Sequence, residues 1–165
     1  MGHRIITQNR GKGGSTFRVP SHRFKAALRH AGTSDTTVRG TVSDIEHDPA
    51  RHTPIALVKL EDGSRMYMLV TEGIGIGDEV VWGPEAEVRN GNTLPLGSIP
   101  TGAYVCNIEA RPNDGGKFVR ASGVQAMVID KSEGRVGVQM PSGVTKWFNA
   151  RCRATVGIVA GGGRG

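Results

Sequence analysis

Length, composition and charge restrict the chain to one medium domain or two small ones that face an anionic partner. Its 165 residues include 25 glycines, 37% hydrophobic and 5% aromatic residues, and carry a formal net charge of +6. The glycines do not recur at every third position, which excludes a collagen helix and indicates many tight turns. No run of roughly 18 apolar residues occurs and no apolar stretch follows the basic N-terminus, so neither a membrane span nor a secretory signal is predicted.

The charges are unevenly distributed along the chain. Residues 1–30 carry seven Lys/Arg and no Asp/Glu, residues 31–95 carry five and eleven, and residues 96–165 carry nine and four. A surface charged only for solubility would mix the two signs. Two basic parts that flank an acidic middle indicate that the ends of the chain face a polyanion such as nucleic acid.

Residues 1–36 are predicted to be a basic, extended arm that becomes ordered on nucleic acid. Ser21 is a good N-cap for a short helix that we expect to run to His30. The rest of the arm has too few apolar residues to offset its ordering entropy, so a disordered solubilising tail is the alternative. The candidate RNA-binding residues of the arm are Arg4, Arg10, Lys12, Arg18, His22, Arg23, Lys25 and Arg29.

Residues 37–92 are predicted to form a small closed barrel of the oligonucleotide/oligosaccharide-binding (OB) type. Alternating or short apolar runs bounded by turns predict five strands, and Asp62-Gly63 is a two-residue hairpin turn between the second and third. Five short strands in about sixty residues are typical of this barrel. The expected strands lie at 37–47, 54–60, 65–70, 73–83 and 86–90.

Residues 93–165 are predicted to form a second barrel, SH3-like in its proportions, with a glycine-rich C-terminal end. Pro95 and Pro100 stiffen the connector to it, which places the domain boundary near Asn92. Five more short strands are expected, at 103–109, 124–130, 134–140, 144–149 and 154–160. The predicted fold class is therefore all-β, with an OB-fold-like barrel followed by an SH3-like barrel.

The second half places cations among turn glycines and short strands. Glycine lets the backbone of a polyanion approach closely, and arginine binds phosphate bidentately. Folded RNA offers shape, backbone and 2′-OH groups, which suits such a surface. Tyr67, Trp82 and Trp147 could stack on bases, but such rings lie more often in the core. Trp147 and Phe148 are adjacent, so one of these two rings faces out if the strand is regular. The candidate RNA-binding residues here are Lys117, Arg120, Lys146, Arg151, Arg153 and Arg164.

No catalytic, metal or cofactor site is predicted. Cys106 and Cys152 lie far apart in no CxxC pair, which favours two buried thiols over a zinc site. His47-Asp48 and His52 have no second cluster and are interpreted as a polar loop. The carboxylates of the basic half lie mostly in turns and do not predict a nuclease metal site.

Several motifs carry a family resemblance. The stretches GNTLPLGSIPTGAYVCNIEARPNDGGKFVRASGVQA (91–126), QMPSG (139–143) and CRATVGIVAGGG (152–163) resemble the universal large-subunit ribosomal protein family conventionally numbered two. The opening residues 2–30 and HDPAR (47–51) resemble its archaeal branch. The resemblance implies a cytoplasmic, ribosomal protein whose barrels clasp large-subunit (23S-type) rRNA beside neighbouring ribosomal proteins, without catalysis, a small-molecule substrate or a membrane. Family members are associated with subunit joining, tRNA binding and the peptidyl-transferase region.

The resemblance also assigns individual residues. The first barrel of the family often carries a basic pair after its turn, and here only Arg65 inherits that RNA contact because Met66 follows it. Lys146 occupies the basic position after the Ser-Gly turn, and Arg151 and Arg153 match the CRATVG motif. The family continues past its GGGR run with a basic, histidine-containing extension. Because this sequence stops at Gly165 and its five histidines precede residue 53, no role of that extension is carried over.

Three functional hypotheses follow. The first is a structural, rRNA-binding constituent of the large ribosomal subunit, which supports subunit association and the peptidyl-transferase region. The second is a free translation factor or RNA chaperone built on tandem barrels. The third, an RNA-processing enzyme, lacks the converging carboxylates that metal-dependent cleavage requires.

Overall fold

The protein is built from short β-strands. The computed structural model describes residues 2, 12 and 14–163. Short 3-10 turns lie at Ser15–Phe17, Ser21–Arg23 and Leu96–Ser98, and the described residues contain no α-helix. The strands are β1 (Val38–Glu46), β2 (Ile55–Leu60), β3 (Arg65–Leu69), β4 (Glu79–Trp82), β5 (Thr93–Pro95), β6 (Tyr104–Cys106), β7 (Ala126–Ser132), β8 (Arg135–Gln139), β9 (Thr145–Asn149) and β10 (Arg153–Val156). The all-β prediction is confirmed, and the two groups of strands are consistent with an OB-fold-like and an SH3-like barrel.

The ten strands form one continuous sheet in the order β3-β2-β1-β4-β5-β10-β6-β7-β8-β9. Every pairing is antiparallel except the short parallel contact between β4 and β5, at Trp82 and Thr93. The register shifts within β1 and again within β7. Such bulges bend a strand and increase its twist, which lets each half of the sheet curl around its own core. Within the described part of the chain, no helix is long and apolar enough to cross a membrane.

The first core lies inside the curl of β1–β4. Val42, Val58, Val80 and Trp82 are at most 1% exposed. Gly40 in β1 is required by close packing, since a Cβ built there would lie 2.6 Å from Val58 Cγ1. In β1 the alternation that predicted the strand agrees with the burial of Gly40 and Val42 between exposed residues, whereas β2 and β3 each bury consecutive residues.

The second core lies inside β5–β10, and here one strand prediction was wrong. The predicted strand at 86–90 is a loop, and β5 forms instead within the segment that we had taken for a stiff connector. The reason is burial: Leu94, Leu96 and Ile99 are at most 1% exposed and pack with Val105 in the second core. Burying such apolar side chains is favourable, whereas a solvated linker would leave them exposed to water.

A third, smaller cluster joins the two halves, and we call it the junction cluster. It consists of Leu28, Ile55, Leu69, Cys106 and Val159. Beside it the chain after β10 returns to the first half, where Ala160 N donates to Val70 O and Glu72 N to Ile158 O. The two barrels therefore share a packed interface. The domain boundary at residue 92 stays a prediction.

The arm is extended where it meets the barrels, so the predicted helix from Ser21 to His30 is wrong. Only the turn at Ser21–Arg23 is helical, and it is a 3-10 turn. Beyond it Leu28 and His30 are buried while Arg29 between them is exposed. This alternation is that of an extended segment docked along one side, and tertiary contacts at the junction cluster override the helical propensity.

Truncating Leu28 tests how firmly the arm is docked. Leu28 is 3% exposed, so Leu28→Ala removes buried methyl groups and should lower the free energy of unfolding by about 2–5 kcal/mol. Ile76→Ala is the control, since Ile76 is 66% exposed and its truncation should change stability by less than about 0.5 kcal/mol. Chemical denaturation measures both. Equal stability of the two variants would show that the arm is not docked in solution.

Candidate nucleic-acid interface

A loop of unusual backbone conformation projects between β6 and β7, and we call residues 107–120 the glycine loop. Gly115 and Gly116 have φ angles of 87° and 94°, and three non-glycine residues, Asn107, Asn113 and Val119, have φ angles of 48°, 68° and 57°. A positive φ is uncommon for any L-residue and is an outlier for β-branched valine. Strain of this kind persists only where the surroundings over-determine the backbone, and it clusters at functional sites.

A buried ion pair holds the glycine loop. Glu109 and Arg153 are 0% and 1% exposed, and Arg153 donates from Nη2 and Nε to Glu109 Oε1 at 2.9 and 3.2 Å. The same carboxylate accepts from three backbone amides, those of Asn113, Gly115 and Arg153. A buried charge is tolerated when it is both paired and hydrogen-bonded, and here both oxygens are used. Glu109 thus fixes the loop to β10.

The arm is fastened to the same centre. Arg153 Nη1 donates to Ala31 O at 2.6 Å, and the backbone amide of His30 donates to Gly115 O at 3.2 Å. His30 Nε2 lies 2.8 Å from Asn107 O and must carry the proton, because a carbonyl only accepts. Burial, and then the positive charge of Arg153, lowers the pKa of His30 to about 4. His30 is therefore a neutral link between arm and loop.

This arrangement corrects the prediction that Arg153 binds RNA. Its guanidinium is enclosed by Glu109 and Ala31 and has no exposed surface with which to reach a partner. Arg120 is an intermediate case: it is half-buried and donates to Gly116 O at 3.0 Å and Leu28 O at 3.4 Å. Burial, and secondarily the charge of Arg51, lowers the pKa of Arg120. Both arginines position the glycine loop.

Three exposed cations border the glycine loop, and we call Arg29, Lys117 and Lys146 the loop cations. The stem of Arg29 packs on Gly115, where an added Cβ would lie 3.0 Å from Arg29 Cγ. Lys117 belongs to the loop itself. Lys146 Nζ lies 4.0 Å from the centroid of the Phe118 ring, a cation–π contact. Within the described residues, none of the three is paired with a carboxylate.

The remaining predicted site residues are dispersed. Lys12, Arg18, His22 and Arg23 are exposed on the arm. Two other predicted residues are tied to the protein's own acids: Lys25 forms an ion pair with Glu46, and Arg151 with Asp35 at 3.2 Å. Arg65 is exposed at the start of β3. Arg4, Arg10 and Arg164 lie outside the described residues.

The sequence reasoning missed several contributors. His30 and Glu109 had been read as part of an arm and of a turn, yet both lie at the centre that orders the loop. Asp48, interpreted as a polar loop residue, is fully buried and accepts from Lys25 N, Ala50 N and Arg51 Nε at 2.9–3.2 Å. No local sequence signal pointed to these roles, because a decisive partner of each residue is distant: Lys25 lies 23 residues from Asp48, Asn107 lies 77 from His30, and Arg153 lies 44 from Glu109.

The described residues offer no metal-binding group of three or more His, Cys, Asp or Glu side chains. The two thiols are poor nucleophiles and ligands, since burial raises the pKa of Cys106 to about 12 and, with the charge of Glu109, that of Cys152 to about 11. What the arrangement can do is present fixed cations to an anion.

Removing either arginine of the CRATVG region should separate a structural from a surface role. Arg153→Met leaves Glu109 buried without its partner and should lower the free energy of unfolding by about 3–5 kcal/mol. Arg151→Met breaks an ion pair whose side chains are 64% and 73% exposed, so it should cost at most about 1 kcal/mol. Urea denaturation measures both. A similar small loss for the two variants would contradict the buried pair.

His30 should make stability depend on pH. The pKa of His30 is about 6.5 in the unfolded chain and about 4 in the folded protein, where burial and the charges of Arg153 and Arg120 outweigh the opposite effect of Glu109. As pH falls from 6.5 towards 4, the unfolded chain therefore takes up a proton that the folded protein does not. The stability is therefore full above pH 6.5 and is lost as pH falls through this window, by up to about 1.4 kcal/mol per unit. Chemical denaturation at a series of pH values measures the free energy of unfolding of the unchanged protein and of His30→Gln. Subtracting the second profile from the first removes the contributions of all other titrating groups. A difference that stays flat across this window would refute the assignment.

Comparison with known proteins shows similarity to both domains of one ribosomal protein family. Residues 3–82 match the family model described as the RNA binding N-terminal domain of ribosomal proteins L2, and residues 89–165 match that of the C-terminal domain. The chain is 72% identical over its whole length to the large ribosomal subunit protein uL2 of Methanosphaerula palustris and 72% identical over 99% of its length to that of Methanoregula boonei. It is 54% identical over 99% of its length to that of Haloarcula marismortui.

These relatives are longer, and the chain spans about 70% of their length. The resemblance seen in the sequence motifs is confirmed by both family models and by the full coverage of this chain. The chain belongs to the L2 family of large-subunit ribosomal proteins.

Proposed function

We propose that this protein is a structural constituent of the archaeal large ribosomal subunit, in the cytoplasm, and that it binds large-subunit (23S-type) rRNA through phosphate and shape contacts. Its relatives carry the name of a large ribosomal subunit protein, and one of its two family models describes an RNA-binding domain. The family is one of structural proteins and not of enzymes. A free translation factor or RNA chaperone finds no support among these relatives.

The observation that carries the proposal is the set of loop cations around a rigid backbone. Arg29, Lys117 and Lys146 are exposed and have no carboxylate partner in the part of the chain that the structure describes, whereas buried Arg153 is neutralised by Glu109. An unpaired surface cation binds a phosphate by releasing condensed counterions and breaks no internal ion pair to do so. The buried pair and the strained backbone hold the loop in one conformation, which reduces the ordering cost of binding.

The position of the loop cations also fits a shape contact. The glycine loop and β9 meet at the Phe118 ring, which contacts the Phe148 ring edge-on with their centroids 5.5 Å apart. The docked end of the arm packs on the same loop at Gly115. Gly115 and Gly116 are buried, and their missing side chains let Arg29 and Asn107 pack closely against the loop, which fixes the shape of the surface that the cations border. Because double-stranded RNA is recognised mostly by shape and phosphate contacts, no base-reading side chain is needed here.

The acidic middle of the chain limits where rRNA phosphates can bind. Exposed carboxylates are concentrated between residues 61 and 87, within the predicted first barrel. Negative charge repels a phosphate backbone, so we expect the RNA contacts of the N-terminal domain to come mainly from its basic arm and not from these carboxylate-bearing segments. Arg65 lies next to this acidic stretch, and its proposed RNA contact therefore rests on the family resemblance alone.

The arm supplies a second basic contact. Lys12, Arg18 and Arg23 are exposed, while Lys25 and the segment 28–31 fasten the arm to the barrels. The arm therefore has a fixed origin from which its cations reach outward. The barrels at 37–92 and 93–165 act as the two packed units that position the arm and the loop.

Replacing the three loop cations should weaken rRNA binding and reduce its salt dependence. The triple variant Arg29→Gln, Lys117→Gln, Lys146→Gln should lower the slope of log affinity against log salt by about 2–3, because each lost phosphate contact contributes roughly 0.7–0.9. Filter binding to transcribed archaeal large-subunit rRNA, between about 50 and 400 mM KCl, measures the slope.

A matched control removes the same charge elsewhere. Arg39→Gln, Lys59→Gln, Arg89→Gln changes three exposed cations of the acidic part and the net charge by the same amount. Its slope should stay close to that of the unchanged protein. Equal slopes for the two triple variants would contradict the assigned surface, and failure of the unchanged protein to bind rRNA would contradict the function.

A further inference from the structure

Trp147 is an exposed aromatic residue whose position is not explained by either core. Sequence reasoning favoured the cores for Tyr67, Trp82 and Trp147, and for Trp82, which is 1% exposed, this is correct. Trp147 is 45% exposed, because alternation along β9 turns Phe148 into the second core and Trp147 outward. An exposed indole offers a flat apolar surface together with one N–H donor, which suits it to contact a planar partner.

The indole ring is held flat against the sheet. Trp147 is paired in register with Gly137 of β8, and a Cβ built at Gly137 would lie 3.3 Å from Trp147 Cη2 and Cζ2. The missing side chain lets the ring cover the glycine backbone with one face. The other face is left towards solvent, on the side of β9 opposite to Lys146.

The surroundings of the ring offer polar groups of the kinds that a nucleotide binds. Ser132, Glu133, Arg135 and Trp147 line an open pocket of about 420 Å³, within the size range of small-ligand sites. Arg135 shares the outer face of β8 with Gly137, is exposed, and has no carboxylate partner among the described residues. It is free to bind a phosphate, while the Ser132 hydroxyl and Glu133 carboxylate can hydrogen-bond the edge of a base.

We propose that Trp147 is a stacking platform for one unpaired nucleotide of rRNA, whose phosphate is bound by Arg135. The inference rests on the proposed rRNA binding and adds its chemistry: the loop cations contact backbone and shape, whereas this outer face takes a base turned out of a helix. Bases in a duplex are already stacked on one another, and sequence-tolerant binding of unpaired bases to aromatic side chains is the usual mode for single strands.

A purely structural role for Trp147 is the competing explanation. An aromatic ring that covers a glycine on a neighbouring strand stabilises a sheet by itself. Such a role requires apolar cover over Gly137 but no aromatic plane, so leucine should fulfil it. Stacking requires the plane, so phenylalanine should retain it and leucine should not. The two variants therefore separate the explanations.

The experiment compares Trp147→Phe and Trp147→Leu with the unchanged full chain. The probes are a single-stranded oligoadenylate of about twelve nucleotides and an RNA duplex of the same length, a span within the usual site sizes for single strands. Trp147→Leu should weaken single-strand binding by about 5- to 150-fold, and duplex binding should change less than about twofold. Trp147→Phe should bind the single strand nearly as well as the unchanged protein. Single-strand binding should also quench the fluorescence of the exposed Trp147, while buried Trp82 is shielded.

Arg135→Gln is a second variant that leaves Trp147 and Gly137 intact. It should lower single-strand affinity and reduce the salt slope by about 0.7, the value for one phosphate on a single strand. The proposal is overturned if Trp147→Leu binds the single strand as tightly as the unchanged protein, or if it loses single-strand and duplex binding equally. It is likewise overturned if only binding to other ribosomal proteins is lost. In each case the salt slope of the loop cations still tests the proposed function separately.

Discussion

The buried pair of Glu109 and Arg153 is the interaction on which the rest of the interface depends. Buried charges are stable only when they are paired and hydrogen-bonded. The Glu109 carboxylate accepts two hydrogen bonds from the Arg153 side chain and three from backbone amides. Through these contacts one residue of β10 fixes the glycine loop, and through Ala31 it fixes the arm. Arg29 and Lys117 owe their positions to this centre, although neither touches it directly.

Cations of this protein fall into two groups that the sequence does not distinguish. Lys25, Arg151 and Arg153 are held by acids of the same chain, and they hold the arm and the barrels together. Others, such as Lys117 and Lys146, have no such partner among the residues that the structure describes and keep their charge available. A protein that binds a polyanion needs both groups, because a cation that is already neutralised contributes little to the binding of a phosphate.

The sequence predicted most of the strands and the charge distribution, since both are local properties. Alternation in β1, and short apolar runs bounded by turns elsewhere, located β1–β4 and β6–β10. The missing acid in the first thirty residues indicated the basic arm. The errors have a common cause in distant contacts. Arg151 and Arg153 are two residues apart and look equivalent, yet the carboxylate that buries Arg153 lies 44 residues away. The expected helix after Ser21 and the displaced β5 were likewise decided by packing across the junction.

The open edge of the sheet at β9 affects how the protein behaves before it is assembled. Strand β9 is the last strand in the order, so one row of its backbone amides and carbonyls has no neighbouring strand among residues 14–163. Val144 and Trp147 beside it are exposed. An open edge with apolar neighbours is a template for unwanted association between copies of a chain. Lys146 places a charge in the middle of this edge, which opposes such stacking. We therefore expect the free protein to be more prone to aggregate than the same chain within a ribosome.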